Sequence, residues 1–157
     1  MARKASDLMQ TDVVSVSPDA TLAMVQRLLF EEEISGAPVV DDEGRVVGVI
    51  SAVDLLRAAS EQRDTPPIYP SYLLELLEFS GPEPIGREDG LSNRLEEHRV
   101  ADFMTLDVCS VAPDASIAET ARVLRENRIH RVLVVEKGQL CGLISTFDLL
   151  SELEARR

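Results

Sequence analysis

A chain of 157 residues is long enough to fold with a real core, and 45% of its residues are apolar while only 4% are aromatic. The core must therefore be built from Val, Leu, Ile and Ala, a composition that suits mixed packing of helices and strands. The formal net charge of -12 repels a phosphate backbone and argues against nucleic-acid binding.

The sequence contains an internal repeat. Residues 5–59 align with residues 100–153 when a single one-residue gap is placed near Asp42. The matches fall at turn, cap and core positions, where repeated structural units must agree. The identical pairs include Asp7 and Asp102, Met9 and Met104, Pro18 and Pro113, Gly48 and Gly142, Ser51 and Ser145, and Asp54 and Asp148.

The same elements are predicted in both copies. A short β-branched strand opens each one, at residues 13–16 and 108–111. Pro18-Asp19 and Pro113-Asp114 then supply residue types typical of a helix start, and an amphipathic helix follows.

Two further strands follow in each copy, and a second helix ends it. The strands are predicted at residues 37–40 and 46–50, and at residues 132–135 and 140–144, and each pair is joined by a Gly-containing turn. The closing helices begin near Asp54 and Asp148. The predicted fold is a mixed α+β and α/β class, with two pseudo-symmetric βαββα repeats packed through their small sheets.

The repeat divides the chain into three parts. Residues 1–59 form the first repeat, residues 60–99 an inserted linker with short helices, and residues 100–157 the second repeat. Within the insertion, SYLLELLEF at residues 71–79 has the spacing of an amphipathic helix, which covers either a core edge or a partner, and residues 81–90 have loop composition.

The paired motifs GVISAVDLL and GLISTFDLL, with the helix-start phrases SPDATL and APDASI, resemble those of the CBS-domain family, named after cystathionine β-synthase. The segments DLMQTDVVSV and DFMTLDVCSV are also similar to that family. The resemblance implies a regulatory module without catalytic residues. In that family two clefts between the repeats often hold AMP, ADP, ATP, S-adenosylmethionine or a dinucleotide such as NAD, while some members bind no known ligand, and many members are homodimers.

Ser51 and Asp54, with their copies Ser145 and Asp148, are the first candidate ligand-binding residues. Each pair lies where a strand runs into a helix, so a hydroxyl and first-turn amides can meet a phosphate, while the carboxylate can accept from both ribose hydroxyls. In the family, the matching residues do this. A purely structural alternative is a capping box, since Ser followed by an acid three positions later starts many helices.

His130 and Arg131 are the second candidates. They directly precede a predicted strand and resemble the His-Arg pair that some nucleotide-binding members direct at phosphates. The first copy has Gly36 and Ala37 near this place, a small-residue variant compatible with a ring packing on the backbone. We therefore expect two unequal clefts, with phosphate-bearing ligands preferred at the one that His130 and Arg131 reach.

Val14 and Cys109 are the third candidates. They lie in the opening strands, where they would border an adenine, although core packing is the default interpretation for both. Cys109 and Cys141 lack the spacing of a redox pair or a zinc site, so both are expected to behave as small apolar residues.

Other functional classes are less well supported by the sequence. The acidic runs 31–33 and 41–43 indicate solvated surface, with Mg²⁺ bound beside a nucleotide as the alternative, and no cofactor is required. No run of about 18 apolar residues and no secretory signal is present, so we expect a cytoplasmic protein without a membrane role. A ligand-free module that dimerises or docks on an unidentified regulated protein remains the alternative function.

Overall fold

The structure is a computed structural model that describes residues 2–59 and 95–155. Its helices and strands in chain order are α1 (Ala5–Leu8), α2 (Leu22–Glu31), β1 (Gly36–Val40), β2 (Val46–Ser51), α3 (Ala52–Ala59), α4 (Val100–Phe103), β3 (Ser110–Val111), α5 (Ile117–Asn127), β4 (Arg131–Glu136), β5 (Gln139–Ser145) and α6 (Thr146–Ala155). The mixed class and the paired repeat predicted from the sequence are confirmed. The helix and loop predicted at residues 71–79 and 81–90 lie outside the described residues.

Contacts divide the chain into two compact units. Among the described residues, the Asp54 unit consists of residues 15–41, 47–59 and 95–106, and the Asp148 unit consists of residues 2–14, 42–46 and 107–155. The repeat boundaries at residues 59 and 100 stay a prediction, since the units are defined by contacts and not by similarity between the copies.

The Asp54 unit has a two-stranded sheet, β1 and β2, covered by α2. Leu22, Val25 and Leu29 form the buried stripe of α2, at the spacing predicted for an amphipathic helix. They pack with residues of both strands, such as Val39 and Ile50, in one apolar cluster.

The Asp148 unit has a three-stranded sheet in the order β3, β4, β5. β3 is parallel to β4, with Val111 opposite Val134, and β4 is antiparallel to β5. Val132, Val134 and Ile144 point into the core of this unit and are almost fully buried.

The opening strands are shorter than predicted. Residues 13–16 contribute only one parallel bridge, between Val16 and Val39, and residues 108–111 contribute the two-residue β3. Continuing the first ladder would require residue 38 to donate its N–H to residue 14, and Pro38 has no N–H. The second copy has Leu133 at that place, so its ladder extends one residue further.

The start of each long helix is set by a hydroxyl. Thr21 caps α2 by accepting from the N–H of Met24 at 3.2 Å, and Ser116 caps α5 by accepting from the N–H of Glu119 at 3.1 Å. Pro18 and Pro113 lie in turns just before these caps, so the predicted helix starts were three to four residues early.

Each repeat opens with a short helical segment that belongs to the unit of the other repeat. The first leading segment, residues 4–10, lies in the Asp148 unit. There Ala5 donates to the carbonyl oxygen of Ala115 at 2.8 Å, and Gln10 exchanges two backbone hydrogen bonds with Leu143 at 2.8 and 2.9 Å.

The second leading segment, residues 99–105, lies in the Asp54 unit and repeats this pattern. Val100 donates to the carbonyl oxygen of Ala20 at 2.9 Å, and Thr105 exchanges two backbone hydrogen bonds with Val49 at 2.8 and 3.0 Å. The backbone arrangement of the two leading segments is therefore the same.

Gly48 and Gly142 make these contacts possible. A Cβ at Gly142 would lie 2.8 Å from the carbonyl oxygen of Gln10, and one at Gly48 would lie 2.9 Å from that of Thr105. The backbone that approaches each glycine so closely is that of a leading segment.

Candidate functional site

In the Asp54 unit, the candidate site is the junction where β2 ends and α3 begins. The Asp54 Oδ2 accepts from the backbone N–H of Ser51 at 2.9 Å and from its hydroxyl at 3.0 Å. Its Oδ1 lies 3.5 Å from Nη1 of Arg57, one helical turn later. The capping role of Asp54 is thus present in the structure, and it uses one of the two carboxylate oxygens.

Asp54 is 4% exposed, which is unusual for a carboxylate. Burial raises the pKa of Asp54, and this exceeds the opposing effects of the hydrogen bonds from Ser51 and the charge of Arg57, which lower the pKa. A buried acceptor of this kind suits a ligand that donates hydrogen bonds, such as a ribose diol.

In the Asp148 unit, the same junction lies between β5 and α6. Asp148 Oδ2 accepts from the backbone N–H of Ser145 at 2.7 Å and from its hydroxyl at 2.8 Å. The hydroxyl oxygen of Ser145 in turn accepts from the Asp148 N–H at 3.3 Å, which completes a reciprocal cap. Gln10 also faces this carboxylate, with Nε2 at 3.2 Å from Oδ1 and 3.3 Å from Oδ2.

The structure brings His130 and Arg131 to the junction that holds Ser145. Arg131 lies opposite Ser145 in the β4–β5 ladder, and its side chain is exposed. The carbonyl oxygen of His130 accepts from the N–H of Thr146, the first residue of α6, at 2.9 Å. The predicted pair thus borders the end of the sheet at which α6, the helix of Asp148, begins.

Gly36 borders the corresponding junction of the Asp54 unit. A Cβ on Gly36 would lie 3.1 Å from the carbonyl oxygen of Ile50 and 3.5 Å from Cα of Ser51. Ala37 follows it and is buried in the core of this unit. A glycine keeps this edge free of side-chain atoms, whereas the Asp148 unit presents a guanidinium there.

Val14 and Cys109 are half-buried residues in the irregular segments before Val16 and β3. Among the described residues, no hydrogen bond joins either of them to Asp54 or Asp148. Their predicted contact with an adenine stays a prediction.

Two residues at these junctions were not predicted from the sequence, Gln10 and Arg57. Arg57 follows Asp54 by three positions in a predicted helix, and that spacing is a recognised signal for an ion pair. Gln10 lies 138 positions from Asp148. The one sequence feature that sets it apart is that the second copy has a different residue, Thr105, at the equivalent position.

The described parts of the chain show no group of three or more His, Cys, Asp or Glu side chains arranged to hold a metal ion. No helix among those residues is long and apolar enough to cross a membrane.

Residues 5–61 and 100–155 match the family model of the CBS domain. Each matched stretch contains one of the two Ser and Asp pairs described above.

Two curated proteins illustrate the range of relatives. An uncharacterised protein of Methanocaldococcus jannaschii is 34% identical over 152 residues, which cover 94% of this chain and 89% of that protein. Inosine-5′-monophosphate dehydrogenase of Bifidobacterium longum is also 34% identical over 152 residues, which cover 96% of this chain but 22% of the dehydrogenase. The second match concerns a small part of that protein.

Solved structures share the fold over nearly the whole chain. The CBS domain of a CBS-domain-containing membrane protein from Sphaerobacter thermophilus superposes with a TM-score of 0.69 at 30% identity, covering 96% of this chain and 87% of that one. CBSX2 in complex with AMP superposes with a TM-score of 0.69 at 24% identity, covering 98% of both chains. A CBS-domain pair in complex with 5′-methylthioadenosine and S-adenosyl-L-methionine superposes with a TM-score of 0.68 at 15% identity, covering 100% of both. The last two likenesses show the fold alone.

Proposed function

The chain belongs to the CBS-domain family as a tandem pair of CBS repeats, and from this premise we propose that it is a regulatory module that binds an adenosine-containing ligand. AMP, ADP and ATP are the first candidates, with S-adenosylmethionine and NAD as the others. The observation that carries the proposal is the same Ser and Asp arrangement at the strand–helix junction of both units.

The chemistry of the junctions supports a ligand with a ribose. In both units the capping hydrogen bonds end on Oδ2 of the Asp, so Oδ1 takes no part in capping the helix. A ribose offers two adjacent hydroxyl donors to such a carboxylate. Two structures of the same fold have AMP, or 5′-methylthioadenosine and S-adenosyl-L-methionine, in their complexes, which is consistent with this assignment.

We propose that a phosphate group of the ligand binds in the Asp148 unit. His130 and Arg131 border its junction, and a guanidinium fork matches phosphate oxygens, whereas Gly36 provides no such donor in the Asp54 unit. We therefore propose unequal sites. The site residues are Ser51 and Asp54 with Gly36 and Ala37, and Ser145 and Asp148 with His130 and Arg131, while Val14 and Cys109 are proposed to border the adenine.

The proposed role is regulatory and without catalysis. Asp54 and Asp148 each already cap their own helix, and in the proposed site the same carboxylates bind the ligand. The ligand would act on an unidentified protein by favouring one conformation of the module, which requires different affinities for the two conformations. Cytoplasmic location, a homodimer and the division at residues 1–59, 60–99 and 100–157 remain parts of the proposal.

A ligand-free docking module is the second candidate. The observation in its favour is a row of exposed apolar side chains on α6, where Phe147, Leu150 and Leu153 are 63%, 53% and 64% exposed. A row of this kind is a typical contact surface for another protein.

A thermal-shift titration separates the two candidates. AMP, ADP, ATP, S-adenosylmethionine and NAD are each added with and without Mg²⁺ to the wild-type protein and to the Asp54→Asn and Asp148→Asn variants. Ligand at about one hundred times its dissociation constant adds about 2.7 kcal/mol. For a protein of this size that is a rise in Tm of roughly 5 to 10 °C.

The control is Asp107→Asn, which removes an exposed carboxylate outside both junctions. We expect it to retain the full shift, while an Asn at the occupied junction abolishes or reduces it. No shift with any of the five compounds would contradict the proposal and favour the docking module.

A further inference from the structure

Asp54 and Asp148 differ in how many hydrogen bonds they already accept. Among the described residues, Asp54 accepts two, both from Ser51. Asp148 accepts from three donors, which are the N–H and the hydroxyl of Ser145 and the amide nitrogen of Gln10, shared between the two carboxylate oxygens at 3.2 and 3.3 Å. The additional donor is the Gln10 side chain, whereas the backbone contacts of the two leading segments are the same.

This difference decides whether a ribose has room to bind. An ionised carboxylate offers about four lone-pair sites. Two capping bonds and two ribose hydroxyls fill those sites at Asp54, so the diol can bind without displacing a hydrogen-bond donor. At Asp148, Oδ2 already accepts twice from Ser145 and Oδ1 accepts from Gln10, so Oδ1 has one site left. The contact from Gln10 must be given up before both ribose hydroxyls can bind.

The second leading segment has a shorter residue in place of Gln10. Thr105 occupies the position of Gln10 in the other leading segment, with the same two backbone hydrogen bonds to the neighbouring strand. A threonine side chain is two atoms shorter than a glutamine side chain. Near Oδ1 of Asp54 lies the guanidinium of Arg57, at 3.5 Å and 62% exposed, so it can turn toward water without breaking a short hydrogen bond.

We propose that Gln10 is a specificity-determining residue of the Asp148 junction, where its amide occupies the carboxylate and lowers the affinity for ribose-bearing ligands. This inference rests on the proposed function and deepens it. A ligand binds Asp148 tightly only if contacts elsewhere, such as those of a phosphate with Arg131, compensate for displacing the amide. A bare nucleoside would therefore bind at Asp54 in preference to Asp148.

The test is isothermal titration calorimetry with AMP on variants that isolate one junction. In the Asp54→Asn background, Gln10→Thr gives the Asp148 junction the residue of the other copy. We expect AMP to bind about tenfold more tightly than in the same background with Gln10, which corresponds to ~1.4 kcal/mol. With 2′-deoxy-AMP the gain should shrink, since one hydroxyl no longer needs the vacated oxygen.

Two controls accompany this comparison. Gln139→Thr makes the same replacement at an exposed glutamine of the same unit and should leave the affinity unchanged. In the Asp148→Asn background, Gln10→Thr should give no gain, because the carboxylate that the amide occupies is no longer there.

The outcomes separate this inference from the proposed function. AMP binding that is unchanged or weakened by Gln10→Thr, with intact binding at Asp54, would overturn the role of Gln10 alone. A weakened complex would identify Gln10 as a direct contact of the ligand instead. If AMP binds none of the variants and none of the five compounds raises the Tm, both proposals are overturned.

Discussion

Arg3 and Glu152 form an ion pair although they lie 149 positions apart, with Nη1 of Arg3 2.6 Å from Oε2 of Glu152. The Glu152 side chain is 6% exposed and the Arg3 side chain 53% exposed. The pair joins residues just before the first leading segment to α6, and both lie in the Asp148 unit. Since a buried carboxylate needs compensation, this contact should matter more for stability than an ordinary surface pair.

Removing Arg3 tests that conclusion. We expect Arg3→Ala to lower the free energy of unfolding by about 1 to 3 kcal/mol, because Glu152 stays buried with one hydrogen-bonding partner fewer. Urea denaturation measures the change. Arg125→Ala is the matched control, since Arg125 is exposed and lies 4.0 Å from an exposed Glu126, and equal losses in both variants would contradict the expectation.

The buried carboxylate of Asp54 predicts a pH dependence of stability. Burial raises the pKa of Asp54 above its unfolded value, so the folded protein retains the proton to a higher pH than the unfolded chain does. The contribution of Asp54 to the free energy of unfolding is then greatest below the unfolded pKa and is lost as pH rises through the folded pKa. Asp54→Asn should remove this pH-dependent loss of unfolding free energy. The variant should therefore gain stability relative to wild type as pH increases.

Urea denaturation at several pH values from about 3.5 upward measures this difference. Asp107→Asn, at an exposed position, serves as the control and should keep the wild-type profile. A relative stability of Asp54→Asn that decreases with rising pH would mean that the charged form is favoured by folding, contrary to the prediction.

The close approach of the leading segments to Gly48 and Gly142 predicts a steric effect. An alanine at Gly142 would place Cβ 2.8 Å from a backbone oxygen, and that atom cannot move without disturbing two hydrogen bonds. We expect Gly142→Ala and Gly48→Ala each to cost about 1 to 3 kcal/mol. Glu136→Ala, an exposed change in the same sheet as Gly142, should stay within about 0.5 kcal/mol.

The exposed guanidinium of Arg131 predicts selectivity for phosphate. In the Asp54→Asn background, Arg131→Ala should weaken AMP binding about tenfold and leave adenosine binding unchanged, because in the proposed site the lost donors would contact the phosphate and not the ribose. Calorimetric titrations with the two compounds provide the comparison, and Arg122→Ala, an exposed arginine of α5, is the control. Equal losses for AMP and adenosine would show that Arg131 acts on the site as a whole.

The sequence predicts local features of this chain well, because local features depend on residues close together. The pairs Ser51 and Asp54, and Ser145 and Asp148, are three positions apart, and the spacing alone indicated the contacts that the structure shows. The hydrophobic spacing of α2 likewise predicted its buried face.

Long-range contacts had no comparable signal. Gln10 reaches Asp148 from 138 positions away, and its residue type and neighbours indicate only a polar position after a short helix. Comparing Gln10 with Thr105 shows that the two copies differ at this position, but the sequence alone does not show which carboxylate the difference affects. That information requires the pairing of a leading segment with a strand of the other repeat.

The reciprocal placement of the leading segments bears on how such a chain arises. A shorter chain with a single repeat could complete its unit only by taking a leading segment from a second copy, so two molecules would have to exchange them. Gene duplication and fusion would turn that exchange between molecules into one within a molecule, at a high effective concentration. After the two repeats are fused, each leading segment can accumulate its own substitutions. Two identical subunits cannot do this, because every substitution appears in both of them. The difference between Gln10 and Thr105 is a divergence of this kind.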